Sequence, residues 1–330
     1  MTQAPSTRWK ERIAPDEQVR YEQAAQQIVA IQRQRSERFG TGRALHRKGI
    51  TAAHGELTVA AGLPPHAAHG LFAQPGRHEV WLRLSNGGMD RAADRKPDIR
   101  GFSLRVFGVS GDSALGNGPA KSQDFTLINQ DAFSTSGSAE FIEFVVAASQ
   151  GGTALLKFLV RRYGVLGAVG QVRKALRTFG KPFGGFATEP FNSVLPMACG
   201  PYAVRVRVTP DPANGAPSAG APGDWNADFS NRLAQRPLAW DMALQFFTEE
   251  AVTPIEDASV AWPTPWLTVA RLTLPAQDTG SAAGAALSEQ VEGSVFDPWQ
   301  ALAEHRPLGD VQRARKVVYF ASQKARGAAS

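Results

Sequence analysis

Short strand-like runs, each bounded by turn residues, are the feature that most constrains how this chain can fold. In each run apolar or β-branched residues alternate with polar ones, and clusters of Gly, Pro and Asp separate one run from the next. Short strands joined by such turns are typical of antiparallel sheets. The sequence therefore predicts an antiparallel sheet or barrel, with strands at 56–60, 78–85, 101–107, 202–208, 238–247 and 267–274.

Helical periodicity marks the two ends of the chain. Apolar residues recur at helical spacing over residues 15–39, and Pro15 followed by Asp16 suits the start of a helix. We therefore expect an N-terminal helical arm over residues 1–40. Helix signals also dominate the segment that follows Phe296.

The middle of the chain indicates two more helices. Residues 139–179 have helical patterning that is broken at Gly151-Gly152 and again at Gly164. No internal repeat and no clear linker divides the chain beyond the arm, so residues 41–330 are predicted to form a single α+β domain. Stretches rich in small residues predict loops at 210–223 and 280–286.

The chain of 330 residues carries 36 Lys and Arg against 30 Asp and Glu, which gives a net charge of +6. Such an excess suits phosphate binding, so nucleic acid is one class of partner to consider. The distribution argues against it, because Arg83, Arg100 and Arg105 stand singly within apolar strands and no zinc finger or recognition helix accompanies them. We predict no nucleic-acid partner, and arginines inside strands point instead to a buried anion.

The single cysteine, Cys199, excludes an intramolecular disulfide framework and a structural zinc site of several thiolates. The first residues are polar and charged, unlike those of a secretory signal, and no window of about twenty residues is apolar enough to span a membrane. We therefore predict a cytoplasmic protein.

Residues 161–177 have a basic, amphipathic pattern. A helix of this kind can bind weakly to an anionic membrane surface. The simpler alternative is a solvated basic face above an apolar face that packs on the protein. Both interpretations stay open at the level of the sequence.

Five short segments combine Arg, His, Ser, Asn and Tyr in a fixed order along the chain. They are 43–49, 81–85, 98–102, 124–133 and 315–326. The last is the most specific, because Arg315 and Tyr319 form an Arg-x-x-x-Tyr motif that is followed seven residues later by Arg326. In this order and spacing the segments resemble the haem-dependent catalases, over roughly residues 40–135 and again over 298–326.

The resemblance implies an α+β fold in which helices surround an antiparallel β-barrel and haem b is buried between the barrel and the C-terminal helix. It makes Tyr319 the protein ligand of the haem iron, since tyrosine is the ligand that catalases use. It places the catalytic residues His46 and Asn129 on the opposite side of the iron, with Ser85 hydrogen-bonded to His46.

The resemblance also implies which residues bind the cofactor elsewhere. Arginines before the first strand, in the second strand and at the C-terminus would pair with the two haem propionates. Arg315 lies one helical turn before Tyr319, where its charge stabilises the phenolate form that binds a metal. The full cofactor-binding set is Arg43, Arg83, Phe133, Arg315 and Arg326.

The catalytic residue types suit the cleavage of a peroxide. A neutral His46 can take a proton from the peroxide and return it to the leaving oxygen, which is general acid–base catalysis by one group. Ser85 would fix the tautomer of His46, and the amide of Asn129 would orient the peroxide.

These assignments lead to one main hypothesis, an oxidoreductase that acts on hydrogen peroxide or organic hydroperoxides with an unknown electron donor. Leu45, next to His46, is aliphatic as in catalases, whereas relatives of the allene oxide synthase type have a polar residue there. The stretch 307–315, preceded by Phe296-Asp-Pro-Trp299, resembles short catalase-related peroxidases. The alternatives are a fatty-acid hydroperoxide isomerase or lyase of the allene oxide synthase type and a non-catalytic haem-binding protein. A homodimer is expected, because the family exchanges N-terminal arms.

Overall fold

The computed structural model describes residues 4–179, 182–218 and 223–328. Within these ranges the chain forms nine strands and six α-helices. The strands are β1 (Gly49–Val59), β2 (Gly76–Asn86), β3 (Arg100–Val106), β4 (Gln123–Ile128), β5 (Phe191–Asn192), β6 (Met197–Cys199), β7 (Tyr202–Pro210), β8 (Leu238–Phe246) and β9 (Trp266–Leu274). The helices are α1 (Glu17–Phe39), α2 (Ser138–Ser149), α3 (Gly152–Phe179), α4 (Trp225–Gln235), α5 (Ala282–Gly293) and α6 (Asp310–Ala325).

Eight of the strands close into an antiparallel barrel. They follow one another around it in the order β5-β4-β3-β2-β1-β9-β8-β7, and β7 pairs with β5 to complete the ring. The short β6 pairs with the first residues of β7 beside β5. Closure leaves the barrel strands without a free edge. The predicted barrel with helices around it is confirmed.

Alternation along the strands decides which side chains fill the barrel. In β2 the side chains of Val80, Leu82 and Leu84 are fully buried in the core. Each contributes about 1.5–3 kcal/mol relative to an exposed position. Because successive side chains of a strand point to opposite faces, Arg83 and Ser85 lie on the outer face of the barrel. The helices and loops that cover this outer face therefore determine what surrounds them.

The N-terminal helix α1 packs along the C-terminal helix α6. The hydroxyl of Tyr21 donates to Oδ1 of Asp310 at 2.7 Å, and Oδ2 of the same Asp310 accepts from the amide of Ser138 at 2.6 Å. One carboxylate therefore joins the starts of α1, α2 and α6. The boundary placed at residue 40 and the homodimer both stay predictions.

The helices between β4 and β5 agree with the sequence pattern. α2 ends at Ser149 and α3 begins at Gly152, so the break predicted at Gly151-Gly152 is confirmed. α3 is interrupted at Gly164, whose φ of 69° and ψ of 173° are not helical. Among the described residues no helix combines the length and the apolar character needed to cross a membrane.

Two helices were not anticipated. The stretch predicted as a loop at 280–286 instead contains the start of α5, so that prediction is wrong. Oγ of Ser281 accepts from the amide of Gly284 at 3.2 Å and caps the helix, and the alanines that follow favour helical backbone. α4 follows the loop predicted at 210–223, of which residues 219–222 lie outside the described ranges.

A buried ion pair ties the barrel to the segment before α6. Arg105 Nε donates to Oδ1 of Asp124 at 2.9 Å, and Nη2 donates to Oδ2 at 2.6 Å. The Asp124 side chain is 0% exposed. Asp124 also accepts from the amide of Asp297 at 3.0 Å, and Arg105 donates to Oε1 of Gln300 at 2.7 Å. The pair thus fixes the path of the chain into α6.

We predict that Asp124→Asn lowers the free energy of unfolding by about 3–5 kcal/mol, because it leaves a buried guanidinium without its counter-ion. Asp131→Asn is the matched control, since the Asp131 side chain that pairs with Arg207 is 75% exposed. An exposed pair contributes less than about 1 kcal/mol. Urea denaturation of both variants measures the difference, and equal losses would contradict this role for the pair.

Candidate functional site

A cavity lies between the outer face of the barrel and the helices α1, α2 and α6. The space between these elements, counted together with its open mouth, is about 1290 Å³. Most of its wall is apolar, with contributions from Ile28, Leu45, Phe141, Ile142, Leu195 and Val318. Polar and charged groups converge on this apolar space from only a few positions.

Helix α6 brings an arginine and a tyrosine to the cavity wall. Arg315 and Tyr319 are four residues apart and lie on one helix face, together with Val311 and Val318. Nη2 of Arg315 donates to Oη of Tyr319 at 2.6 Å and to Oγ1 of Thr126 in β4 at 2.9 Å. The phenol oxygen is therefore held beside a charged donor. The geometry predicted for this pair is present.

His46 lies in the loop between α1 and β1 and also lines the cavity. Its φ of 51° is left-handed, a conformation that histidine adopts more readily than most residues but that still needs support. Its amide donates to the carbonyl of Gly87 at 3.0 Å, and its own carbonyl accepts from Nη2 of Arg83 at 2.9 Å. These two contacts with the end of β2 hold the loop in place.

The environment of His46 disfavours its charged form. Burial, together with the charges of Arg83, Arg315 and Arg43, lowers the pKa of His46 to about 3. The ring is therefore neutral at neutral pH. Because the unfolded chain binds this proton near pH 6.5, the neutral ring contributes to stability above that pH, and the contribution is lost as the pH falls towards 3.

Ser85 and Gly101 fix the position of the His46 ring. Nδ1 of His46 is 3.0 Å from Oγ of Ser85, which is the hydrogen bond expected for these two residues. Gly101 stands opposite Ser85 in β3. A Cβ atom on Gly101 would lie 2.5 Å from the Ser85 hydroxyl and 2.6 Å from Nδ1 of His46. Only glycine leaves room for the pair at this point of the strand.

The arginines expected to bind propionates converge on one carboxylate, that of Glu292 at the end of α5. Arg43 Nη1 donates to Oε1 at 2.6 Å, and Arg83 Nε donates to Oε2 at 2.8 Å. Arg43 and Arg326 also donate to the carbonyl of Ser294, each at 2.8 Å. No local pattern in the sequence indicated Glu292, which is 209 positions away from Arg83.

This cluster has fewer negative than positive charges. Burial raises the pKa of Glu292 by itself, but Arg83 and Arg43 outweigh it, so the pKa lies below its usual range and the carboxylate is ionised. Burial and the neighbouring Arg83 lower the pKa of Arg326 to about 10, despite the opposing effect of Glu292. Three guanidiniums against one carboxylate leave a net charge of about two positive units in a poorly hydrated place.

Asn129 and Phe133 lie at the end of β4 and beyond it. Oδ1 of Asn129 accepts from the amide of Arg100 at 2.7 Å. Phe133 lines the cavity, and its ring centroid is 4.7 Å from that of Phe141. Neither Asn129 nor Ser85 is among the described residues that line the cavity. Asn129 follows the lining residue Ile128 in the chain, and Ser85 is hydrogen-bonded to the lining residue His46. The role of Asn129 in orienting a substrate stays a prediction.

The residues present fit a haem group. The cavity is mainly apolar, Tyr319 presents an oxygen that accepts a hydrogen bond from Arg315, and the arginine cluster has the charge that complements two carboxylates. Nη1 of Arg83 donates no hydrogen bond to any residue that the structure describes, so it is free to bind an added anion. Tyr319 would hold the iron, and Arg43, Arg83 and Arg326 would hold the propionates.

We predict that Gly101→Ala lowers the free energy of unfolding by about 1–3 kcal/mol, because its methyl group overlaps Ser85 and His46 in a packed site. Gly152→Ala is the control, since a Cβ atom there meets nothing within 4 Å. Denaturation curves measure both changes. If Gly101→Ala is as stable as the control, the site is looser than the structure shows.

No model of a known protein family matches the sequence, and no curated protein sequence matches it. Several solved structures, however, are similar to this chain. A fungal catalase superposes with a TM-score of 0.65 at 17% identity, covering 87% of this chain and 59% of the catalase. Catalase A from Saccharomyces cerevisiae gives 0.65 at 18% identity, covering 87% and 61%, and a bacterial catalase gives 0.65 at 15%, covering 99% and 63%.

This chain therefore spans about three fifths of the length of the catalases that it matches. At 15–18% identity the likeness concerns the fold and not the activity. The chain has the catalase fold.

Proposed function

We propose that this protein binds haem b and is an oxidoreductase that acts on hydrogen peroxide or organic hydroperoxides. The observation that carries the proposal is the presence, in one apolar cavity, of the Arg315–Tyr319 pair and the neutral His46 held by Ser85. The Arg315–Tyr319 pair suits a metal-binding phenolate, and the neutral His46 suits proton transfer at neutral pH. The catalase fold of the chain agrees with both.

When bound, the haem would supply the redox chemistry that cleavage of an oxygen–oxygen bond needs. The residues of the chain would hold it and control its surroundings. Tyr319 would hold the iron, and the cluster of Arg43, Arg83 and Arg326 would offset the two propionate charges. The apolar wall would keep bulk water away from the reacting atoms, which strengthens every electrostatic interaction there.

His46 would act as the general acid and base. With a proton on Nδ1 that is donated to Oγ of Ser85, Nε2 has a free lone pair that can accept a proton from the peroxide. The same Nε2 can then donate this proton to the leaving oxygen, so that water or an alcohol departs. A charged histidine could not begin this sequence, and the low pKa of His46 keeps it neutral.

The two electrons that reduce the peroxide must come from a second molecule. A second hydrogen peroxide, oxidised to oxygen, would make the reaction that of a catalase, and an organic donor would make it that of a peroxidase. The mainly apolar wall of the cavity also suits the chain of a fatty-acid hydroperoxide. This observation supports isomerisation or cleavage of a fatty-acid hydroperoxide, in which no external donor is consumed, as a second candidate.

Three assays on the haem-loaded protein separate these reactions. Release of oxygen from hydrogen peroxide identifies a catalase, and oxidation of a dye identifies a peroxidase. Loss of a fatty-acid hydroperoxide without oxygen or oxidised donor identifies an isomerase or lyase. If the loaded protein is inactive in all three, the proposed enzymatic function is wrong and a haem-binding role without turnover remains.

We predict that Tyr319→Phe abolishes the absorption spectrum of a ferric high-spin haem bound by tyrosinate, because phenylalanine cannot bind a metal. Haem should still associate with this variant through the arginine cluster. Tyr202→Phe, at a tyrosine outside the cavity, is the control and should keep the wild-type spectrum. A wild-type spectrum in Tyr319→Phe would refute the ligand assignment.

We predict that His46→Ala lowers the rate of peroxide consumption by about 10²–10⁴-fold, the usual contribution of a positioned acid–base group. Ser85→Ala should give a smaller loss, because it removes only the group that orients the ring. His54→Ala, at an exposed histidine in β1, is the control. The haem content of each variant is measured first, and full activity of His46→Ala at normal haem content would exclude this histidine from the reaction.

A further inference from the structure

Helix α3 exposes most of the large apolar side chains that the folded chain leaves in contact with water. Leu166 is 89% exposed and Val165 is 68% exposed. Over the described residues, ten large hydrophobic side chains are exposed, and six of them lie on this helix. The six are Leu156, Val160, Val165, Leu166, Val169 and Val172. Such a concentration on one element indicates a surface that binds something.

The geometry of α3 gathers these side chains after its interruption at Gly164. Val165, Val169 and Val172 follow one another at helical spacing, so they share one face with Leu166 beside it. Before the interruption the helix rests on the protein, since Phe158 is buried and packs against Phe144 of α2 with ring centroids 6.4 Å apart, whereas Val165, Leu166, Val169 and Val172 after it are all exposed. The apolar face therefore points away from the body of the molecule.

The same helix carries the whole net charge of the chain. Between residues 152 and 179 the sequence has six basic residues and no acidic one, while the remainder has equal numbers of both. Four of the basic side chains, those of Lys157, Arg161, Arg162 and Arg173, are exposed, and Arg161 pairs with Glu143 of α2 at 3.5 Å. The full set in the sequence is Lys157, Arg161, Arg162, Arg173, Lys174 and Arg177. The exposed apolar face thus lies within a strongly positive region.

We propose that α3, from Leu156 to Arg173, binds this protein to the surface of an anionic lipid membrane. Basic side chains would contact the lipid headgroups while Val165, Leu166 and Val169 enter the boundary with the acyl chains. A second copy of this chain would bring two equally positive helices together, so charge opposes that occupant. A nucleic acid would satisfy the charges but would leave the apolar side chains in water.

Membrane binding through α3 would bring the cavity close to the lipid. α3 packs on α2, and α2 supplies Phe141 and Ile142 to the cavity wall. Only the thickness of α2 separates the proposed membrane surface from the cavity. The proposal goes beyond the proposed function and does not need it, since vesicle binding requires neither haem nor turnover.

The test is co-sedimentation of the purified full chain with vesicles. Vesicles of equal parts phosphatidylcholine and phosphatidylglycerol should bind the protein, and vesicles of phosphatidylcholine alone should bind it far less. Added salt should weaken the binding because it screens the charges.

The double variant Arg162→Gln and Arg173→Gln should bind the anionic vesicles about 25-fold more weakly, at about fivefold for each charge. Leu166→Glu should weaken binding by at least about tenfold.

Matched controls carry the same changes outside α3. Val19→Glu alters an apolar side chain of α1 that is 58% exposed, and Arg77→Gln alters a basic side chain of β2 that is 76% exposed. Both should bind vesicles as the wild type does. Circular dichroism should show that every variant is folded, which is expected because all the altered side chains are exposed.

Several results would overturn the proposal. It fails if the wild type does not bind the anionic vesicles or binds both kinds equally. It fails if Leu166→Glu binds as tightly as the wild type, because the contact would then be one that any polyanion can make. It also fails if ultracentrifugation shows a dimer that Leu166→Glu converts to a monomer, because the apolar face would then be an interface between copies of this chain.

Discussion

The charge balance at Glu292 is the constraint on which the site depends. Its carboxylate binds Arg43 before β1 and Arg83 in β2, and Ser294, two residues later, accepts hydrogen bonds from Arg43 and Arg326. Four distant parts of the chain thus meet around Glu292 and Ser294. Without Glu292 three guanidiniums would repel one another in a poorly hydrated place. With it, the cluster is left with the charge that a dicarboxylate would neutralise, and Arg83 remains able to hold the carbonyl of His46.

The closed barrel makes this arrangement possible because it fills its interior without using the residues of the site. Strand alternation sends Leu82 and Leu84 inward and Arg83 and Ser85 outward, so that stability and chemistry occupy opposite faces of one strand. The helices α1, α2 and α6 then enclose the outer face and form the cavity. The Arg105–Asp124 pair fixes the chain just before α6 and so sets where Tyr319 meets that cavity.

Local signals in the sequence predicted much of this, and long-range contacts account for what they missed. The strand runs and turn residues were sufficient for an antiparallel sheet or barrel but missed β4, β5 and β6, and the resemblance to catalases selected the barrel. The spacing of Arg315 and Tyr319 placed both on one face of a helix. Glu292 could not be found in this way, because nothing near it in the sequence links it to Arg83. The helix α5 was missed since a run of small residues suits a loop as well as a helix, and the cap at Ser281 decided the outcome. The exposure of Leu166 likewise depends on how α3 packs on α2, which periodicity alone does not show.

The central claim is that the arginine cluster and Tyr319 form a haem site, and a comparative haem titration tests it most directly. The protein is titrated with haem and with its dimethyl ester, in which both propionates are neutral, and binding is followed by absorption. We expect saturation at one haem per chain. The dimethyl ester should bind at least about a hundredfold more weakly, because it cannot form charged hydrogen bonds with the arginines. Equal affinity for the two compounds would contradict the role of Arg43, Arg83 and Arg326, and the absence of saturable haem binding would contradict the site altogether.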